Sequence, residues 1–374
     1  MEKADALTTR IIGLESANTI KVQNVTINNN EILNTEPIGV VYLAPFSNSV
    51  VEVSNITVMN SNVGTKHPID YLSDGTGSLT IQDIYVNNVA LDSDTKIIKT
   101  QSASSFYMRN CTFIETHPKE IGDSTVKLIE LSSIVLTDMQ NLTIEDTYIE
   151  QSTVGFVELV GIQSTDPLLS YFVISNFIYK NSFFEFSEDL IWMRNIETVN
   201  EFRVMLTDIN MNNITFFRFG NILKLGHQTN TSLVFSDSMF QDLYGAQIYI
   251  QSSNLLNTNL KTKIEMTNIT ASSIHGSSKS FILIEEGGEL MISDSRFINI
   301  DNTEQGSVLN AGYQNGYVEV HNSTFENNLS IYGGVANVQD GSVIKFYDSN
   351  ITENFAIQSG AIQASSDGRF ELYR

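Results

Sequence analysis

A single cysteine, Cys111, stands among 374 residues, so no intrachain disulfide can form and the fold must rest on burial and hydrogen bonding. Tryptophan occurs once and proline five times. No run approaches the roughly 18 consecutive apolar residues that a membrane-spanning helix needs. The opening MEKADALTTR lacks the apolar core of a secretory signal, so any export signal is expected outside this segment. Basic residues are scarce: 21 Lys and Arg against 43 Asp and Glu, a net charge of −22. That balance argues against nucleic acid as a partner, because phosphates are neutralised by Lys and Arg. It argues equally against docking on an anionic membrane. Helical periodicity is absent at length.

What the chain has is a repeat. An Asn or Asp recurs after a short alternating strand: Asn24, Asn55, Asp83, Asn110, Asp146, Asn176, Asp208, Asp237, Asn268, Asp294, Asn322 and Asp348. The period is about 29 residues. The flanks test this frame independently. Two residues before each anchor stand Val22, Val53, Ile81, Met108, Ile144, Ile174, Leu206, Phe235, Met266, Ile292, Val320 and Phe346. The positions four before run from Ile20 and Val51 to Val318 and Ile344 and are also apolar throughout, in a chain that is 41% apolar overall. The residue just before the anchor is polar except at Tyr347. Such period-two alternation marks a strand with one buried face.

A second inward column follows three residues after each anchor, from Ile27 and Val58 to Phe325 and Ile351. Five after the anchor, Asn recurs at Asn29, Asn60, Asn88, Asn181, Asn213, Asn299 and Asn327. Asn tolerates the left-handed conformation of a sharp corner. A third apolar segment completes the unit, as in KLIEL (127–131), GFVEL (155–159) and NILKL (221–225). Leucine-rich repeats need a different frame, and propeller blades need longer units. The expectation is an all-β, right-handed parallel β-helix of about 12 coils with three short strands per coil. One coil cannot bury its own apolar face, whereas stacked coils bury a continuous column and pair each other's strands. Corner Asn side chains are expected to bond along the rod. Residues 1–374 read as one β-helix domain. IIGLE (11–15) resembles a third strand and FELYR (370–374) a first strand, which suggests a segment of a longer chain or a subunit that stacks at its ends.

FENN (325–328), GGVAN (333–337) and SGAIQ (359–363) resemble the FxxN and GGA[ILV] repeats of polymorphic outer-membrane proteins. Those are surface adhesins built as right-handed β-helices of the pectin-lyase-like type. The abundance of Asn and Ile is similar to that of very large β-helix surface proteins of protists. The resemblance implies an extracellular or cell-surface place. The cysteine pairs common in such adhesins are missing.

A search for chemistry yields little. Pectin-lyase-like enzymes, as the resemblance implies, group Asp with Lys, Arg or His on adjacent coils. The histidines His67, His117, His227, His275 and His321 fall at unrelated offsets from their anchors, except that His117 and His275 share one. The acid pairs Asp92/Asp94, Glu188/Asp189 and Glu285/Glu286 read as solvated turn charge. Cys111 lies beside a regular strand with no partner base, as an inert buried thiol. No catalytic, cofactor-binding or metal-binding residue is therefore expected. Asn-x-Ser/Thr sequons occur at ten asparagines, and five of these are anchors: Asn24, Asn55, Asn110, Asn268 and Asn322. These five are the candidate N-glycosylation sites. The expected function is a non-enzymatic structural or adhesive rod, partnered end to end with itself or adjoining coils. The alternative is a carbohydrate-active or glycan-binding β-helix.

Overall fold

The computed structural model of the chain describes residues 12–15, 18–28, 41–44, 49–63, 67–72, 77–92, 95–101, 103–119, 126–132, 141–160, 163–164, 170–184, 189–194, 197–252, 262–276, 279–285, 287–312 and 316–374. Among these residues every regular element is a strand, and the strands join in one continuous sheet by parallel pairing. The chain is an all-β parallel solenoid with a period of about 29 residues. The expected count of about 12 coils is slightly off. Coil lengths are uneven, and the strand Arg369–Tyr373 adds a level beyond the last anchor, Asp348.

The bends come from single residues. All twelve anchors hold left-handed backbone, with φ between 46° and 58°. Asn and Asp accept that region because their short polar side chains bond locally. One such residue turns the strand without ending it, so Val50–Val63 and Ser78–Leu91 each run through two corners unbroken. The second corner lies five residues on, where Asn60, Asn88, Asn181, Asn213, Asn299 and Asn327 also have positive φ. Asn29 lies outside the described residues. Elsewhere Glu115, Gln151, Ser273 and Glu353 take the same conformation. Each does so against a preference of roughly 1–2 kcal/mol, which the stacked coils must overcome.

The two columns before the anchors are buried throughout, with no member more than 4% exposed. The column after the anchors is buried from Ile27 to Phe325 and opens only at Ile351, in the last full coil. Register keeps like on like: Ile20 pairs with Val51, Val51 with Leu79, and Leu79 with Phe106. Phe297 stacks on Phe325 at 5.1 Å and 14°, and Phe346 meets Phe325 edge-on at 5.6 Å.

Corners displace backbone groups from the sheet ladder, and side chains replace the missing partners. At the residue after the anchor, Ser295 Oγ accepts from Ile269 N–H, Ser323 Oγ from Ser295 N–H, and Ser349 Oγ from Ser323 N–H. Each hydroxyl also donates to the carbonyl two residues back. Cys111 occupies this same column, with its Sγ 3.4 Å from Arg109 O. Its burial explains why the thiol is pushed up to about 12. At the second corner Asn328 does the same work for Ile300 N–H and Phe297 C=O, and Asn354 follows it one coil on. On the outside, anchor side chains form the expected ladder. Asn110, Asn176, Asn268 and Asn322 donate to Asp83, Asp146, Asp237 and Asp294 at 2.6–2.8 Å.

Candidate functional site

The five anchor sequons are all solvent-facing. Asn55, Asn110, Asn268 and Asn322 each donate one Nδ2 hydrogen along the ladder, and Asn24 accepts from Asn55 at 3.3 Å. The sequon at Asn328 is buried in the corner ladder. The histidines stay apart. His67 accepts from Lys96 N–H, His275 bonds Asp301 at 2.7 Å with its ring tilted 31° against Tyr244, and His321 stacks on Tyr347. The side chain of His227 lies outside the described residues, as do Asp94, Glu188 and Glu286. A shallow surface groove of about 440 Å³ lies over Gln82, Asp83, Arg109, Asn110, Asp146 and Asn176. Its lining carries two carboxylates and one cation: Asp83 accepts from Asn110, Arg109 Nε sits 2.8 Å from Asp146 Oδ2, and Asn176 together with Arg109 holds the Asp146 carboxyl below its ordinary range. Among the described residues no group of three or more His, Cys, Asp or Glu side chains is placed to hold a metal ion.

One constellation escaped the sequence reading. The third strands Lys127–Ser132, Gly155–Val160 and Asp189–Arg194 stack in register and continue onto residues 221–226. This places Lys99, Glu130, Glu158, Trp192 and Lys224 in one row. Arg194 Nε lies 2.8 Å from Glu158 Oε1, and Lys224 Nζ 3.1 Å from Asp189 Oδ2. The guanidinium of Arg194 and the ammonium of Lys224 sit 4.6 and 4.8 Å from the Trp192 ring centroid, within cation–π range. Lys127 is only 2% exposed. Burial pulls its ammonium from 10.5 down to about 8; Asp189 and Glu158 resist that shift, while Lys96 and Lys224 add to it. Asn221, buried beside them, donates to Asp189 at 2.5 Å, and its Oδ1 accepts no hydrogen bond among the described residues.

Lys127 should leave a signature in stability. Unfolded, the lysine keeps its proton up to its ordinary value of 10.5, whereas folded it releases the proton near 8. Between those values the unfolded chain binds more protons, so stability rises with pH, by at most about 1.4 kcal/mol per unit. Above pH 9 the thiol of Cys111 opposes this, since it ionises at its ordinary 9.0 only when unfolded. Urea titrations at pH 8 and 9 should therefore show a gain of about 1 kcal/mol in the wild type. Lys127→Met should show none.

The last coil is the other feature of the surface. Phe370 pairs with Ile344 and Leu372 with Phe346, placing both in the inward columns. They are 43% and 61% exposed, where Ile344 and Phe346 are 0% and 2%. On the strand Phe355–Gln358, Phe355 and Ile357 are 62% and 69% exposed. Tyr373 extends the stack of His321 and Tyr347 rings. At the other end Ile12–Glu15 pairs with Val41–Ala44 as a third strand.

The fold defines the chain's class as a parallel β-helix. No family model matches the sequence, and no curated protein matches it. A solved structure similar to it is described as "a new PL6 alginate lyase complex with trisaccharide". That likeness has 10% identity and a TM-score of 0.38, and covers 96% of this chain and 80% of that one. It bears on neither activity nor substrate. Among the described residues no helix is long and apolar enough to cross a membrane.

Proposed function

We propose that the chain is a non-enzymatic structural or adhesive rod, part of a coat, stalk or filament at the cell surface or outside the cell. The observation that carries this reading is the unbroken stack of coils, its inward columns buried from Ile20 to Phe346 and its outer corners laddered by Asn and Asp side chains. Parallel coils of this kind lend themselves to continuation along the axis. The axial partner we propose is an adjoining coil, of the same chain or of a second copy. Like charges along an acidic rod oppose sideways clumping, so contact is directed along the axis. The five solvent-facing anchor sequons, Asn24, Asn55, Asn110, Asn268 and Asn322, are the proposed glycan acceptors.

Sedimentation velocity over a concentration series tests the axial contact. The wild type should shift to longer species as concentration rises, and Ile357→Lys with Leu372→Lys should stay monomeric. Concentration-independent monomers, or association unaffected by those changes, would overturn the contact with a second copy. Turnover of acidic or neutral glycans that survives purification would overturn its non-enzymatic part. A second reading, a glycan-binding β-helix, is favoured by the charged cluster around Lys127 and Trp192.

A further inference from the structure

Three successive coils enter their third strand through the same turn. Gly306, Gly333 and Ser359 hold left-handed backbone there. The turns lock together through Gly306 N–H to Tyr332 C=O at 2.7 Å and Gly333 N–H to Gln358 C=O at 3.4 Å. At Gly333 a side chain has no room, since a Cβ would lie 2.1 Å from Ala336 O. Four residues after each of these positions stands a carboxamide: Asn310, Asn337 and Gln363. Register pairs Asn310 with Asn337 and Asn337 with Gln363. Leu309 and Ala311 are buried in the core on either side of Asn310, so strand alternation turns this column of amides to the outer face.

Gln305 and Gln339 complete a set of five neutral amides. Gln305 Oε1 accepts from Asn337 Nδ2 and from Gln339 Nε2, each at 3.1 Å, and Asn337 Nδ2 also reaches Asn310 Oδ1 at 3.2 Å. Among the described residues none of the five bonds a charged side chain. Asn337 is 0% exposed, yet its Oδ1 accepts no hydrogen bond, and neither does the buried Oε1 of Gln363. Buried acceptors left unmet are costly, and a ligand that brings donors would satisfy both. Gln305, Asn310, Gln339 and Gln363 are half-buried, so the rim of the set meets solvent.

We propose that this column binds a neutral glycan lying along the rod axis. Its hydroxyls donate to Asn337 Oδ1 and Gln363 Oε1 and accept from the amide N–H groups of Asn310 and Gln339. Hydroxyls suit the set because each can donate and accept, as a carboxamide does. The neutral character of the ligand follows from a lining without charge. The direction follows from the stacking, which repeats an amide about every 4.8 Å along the axis. The inference rests on the glycan-binding reading and names its ligand as neutral; it uses none of the charged residues around Lys127 and Trp192.

Isothermal titration of the full chain with cellotetraose, xylotetraose and mannotetraose tests this, with tetragalacturonate as the charged comparison. At least one neutral tetrasaccharide should bind, equally well at low and high salt, because no charged contact is there to be screened. Gln339→Ala and Asn310→Ala, both at half-buried positions, should each weaken binding about fivefold. Lys21→Gln, on a distant coil, should change nothing. Affinity untouched by both amide substitutions, or lost at high salt, would overturn the proposal. Binding of tetragalacturonate alone would overturn the neutral site and leave the glycan-binding reading standing. Binding of none of the four would overturn both.

Discussion

Phe325→Asp is expected to destabilise the C-terminal half of the rod by more than about 5 kcal/mol, because it removes a buried ring and leaves an unpaired charge in its place. Phe325 is 0% exposed and touches Phe297 and Phe346 through its face and edge. Val320→Asp, at another fully buried position one strand earlier, should act similarly. In a solenoid each coil contacts only its neighbours, so the loss should first appear as local unfolding of the adjoining coils. Hydrogen exchange with chemical denaturation would show where it begins. Glu326→Gln, beside Phe325 on the opposite face of the strand, should stay within about 0.5 kcal/mol of wild type. Equal behaviour of Phe325→Asp and Glu326→Gln would disprove the register.

Asn328→Ala should cost about 3 kcal/mol, far more than the same change one residue earlier. Asn328 is 1% exposed and meets Ile300 N–H at 2.9 Å, Phe297 C=O at 3.1 Å and Asn354 at 2.8 Å. Truncation leaves two buried backbone groups without partners, and each such group costs about 1–3 kcal/mol. Asn327 faces solvent and makes one exposed bond to Asn299. Its replacement by Ala loses that bond and the left-handed preference at φ 53°, about 1–2 kcal/mol together. Denaturation midpoints of the two variants compare them directly. Equal midpoints would remove the buried ladder as an element of stability.

The contrast between Asn327 and Asn328 shows what was legible in the sequence. Inward columns were readable because burial on one face of a strand imposes strict alternation, and Ile20 through Phe346 follow it without exception. Corner asparagines were readable because few residues accept positive φ. The buried partners were harder to see. Ser295, Ser323, Asn328 and Cys111 look like ordinary polar or small residues until the displaced backbone groups beside them are known. Cys111 was foreseen as buried and inert, but its place in a serine column emerges only from the stacking.

The third-face cluster was hidden for a different reason. Its members lie about one coil apart in sequence, and the distance from anchor to third strand varies with loop length. No linear motif links Lys127, Glu158, Trp192 and Lys224. Setting KLIEL, GFVEL, DLIWM and NILKL side by side would have put Glu130, Glu158, Trp192 and Lys224 in one column. Among the described residues the histidines lie apart, and in this row lysine and arginine carry the positive charge.

Electron microscopy of the purified chain tests the central claim most directly. Coils spaced about 4.8 Å apart predict a slender rod. At higher concentration these rods should join end to end into unbranched filaments of unchanged width, and substitution of Ile357 and Leu372 by Lys should abolish the joining. Compact particles of another shape, or rods that bundle only side by side, would contradict the account.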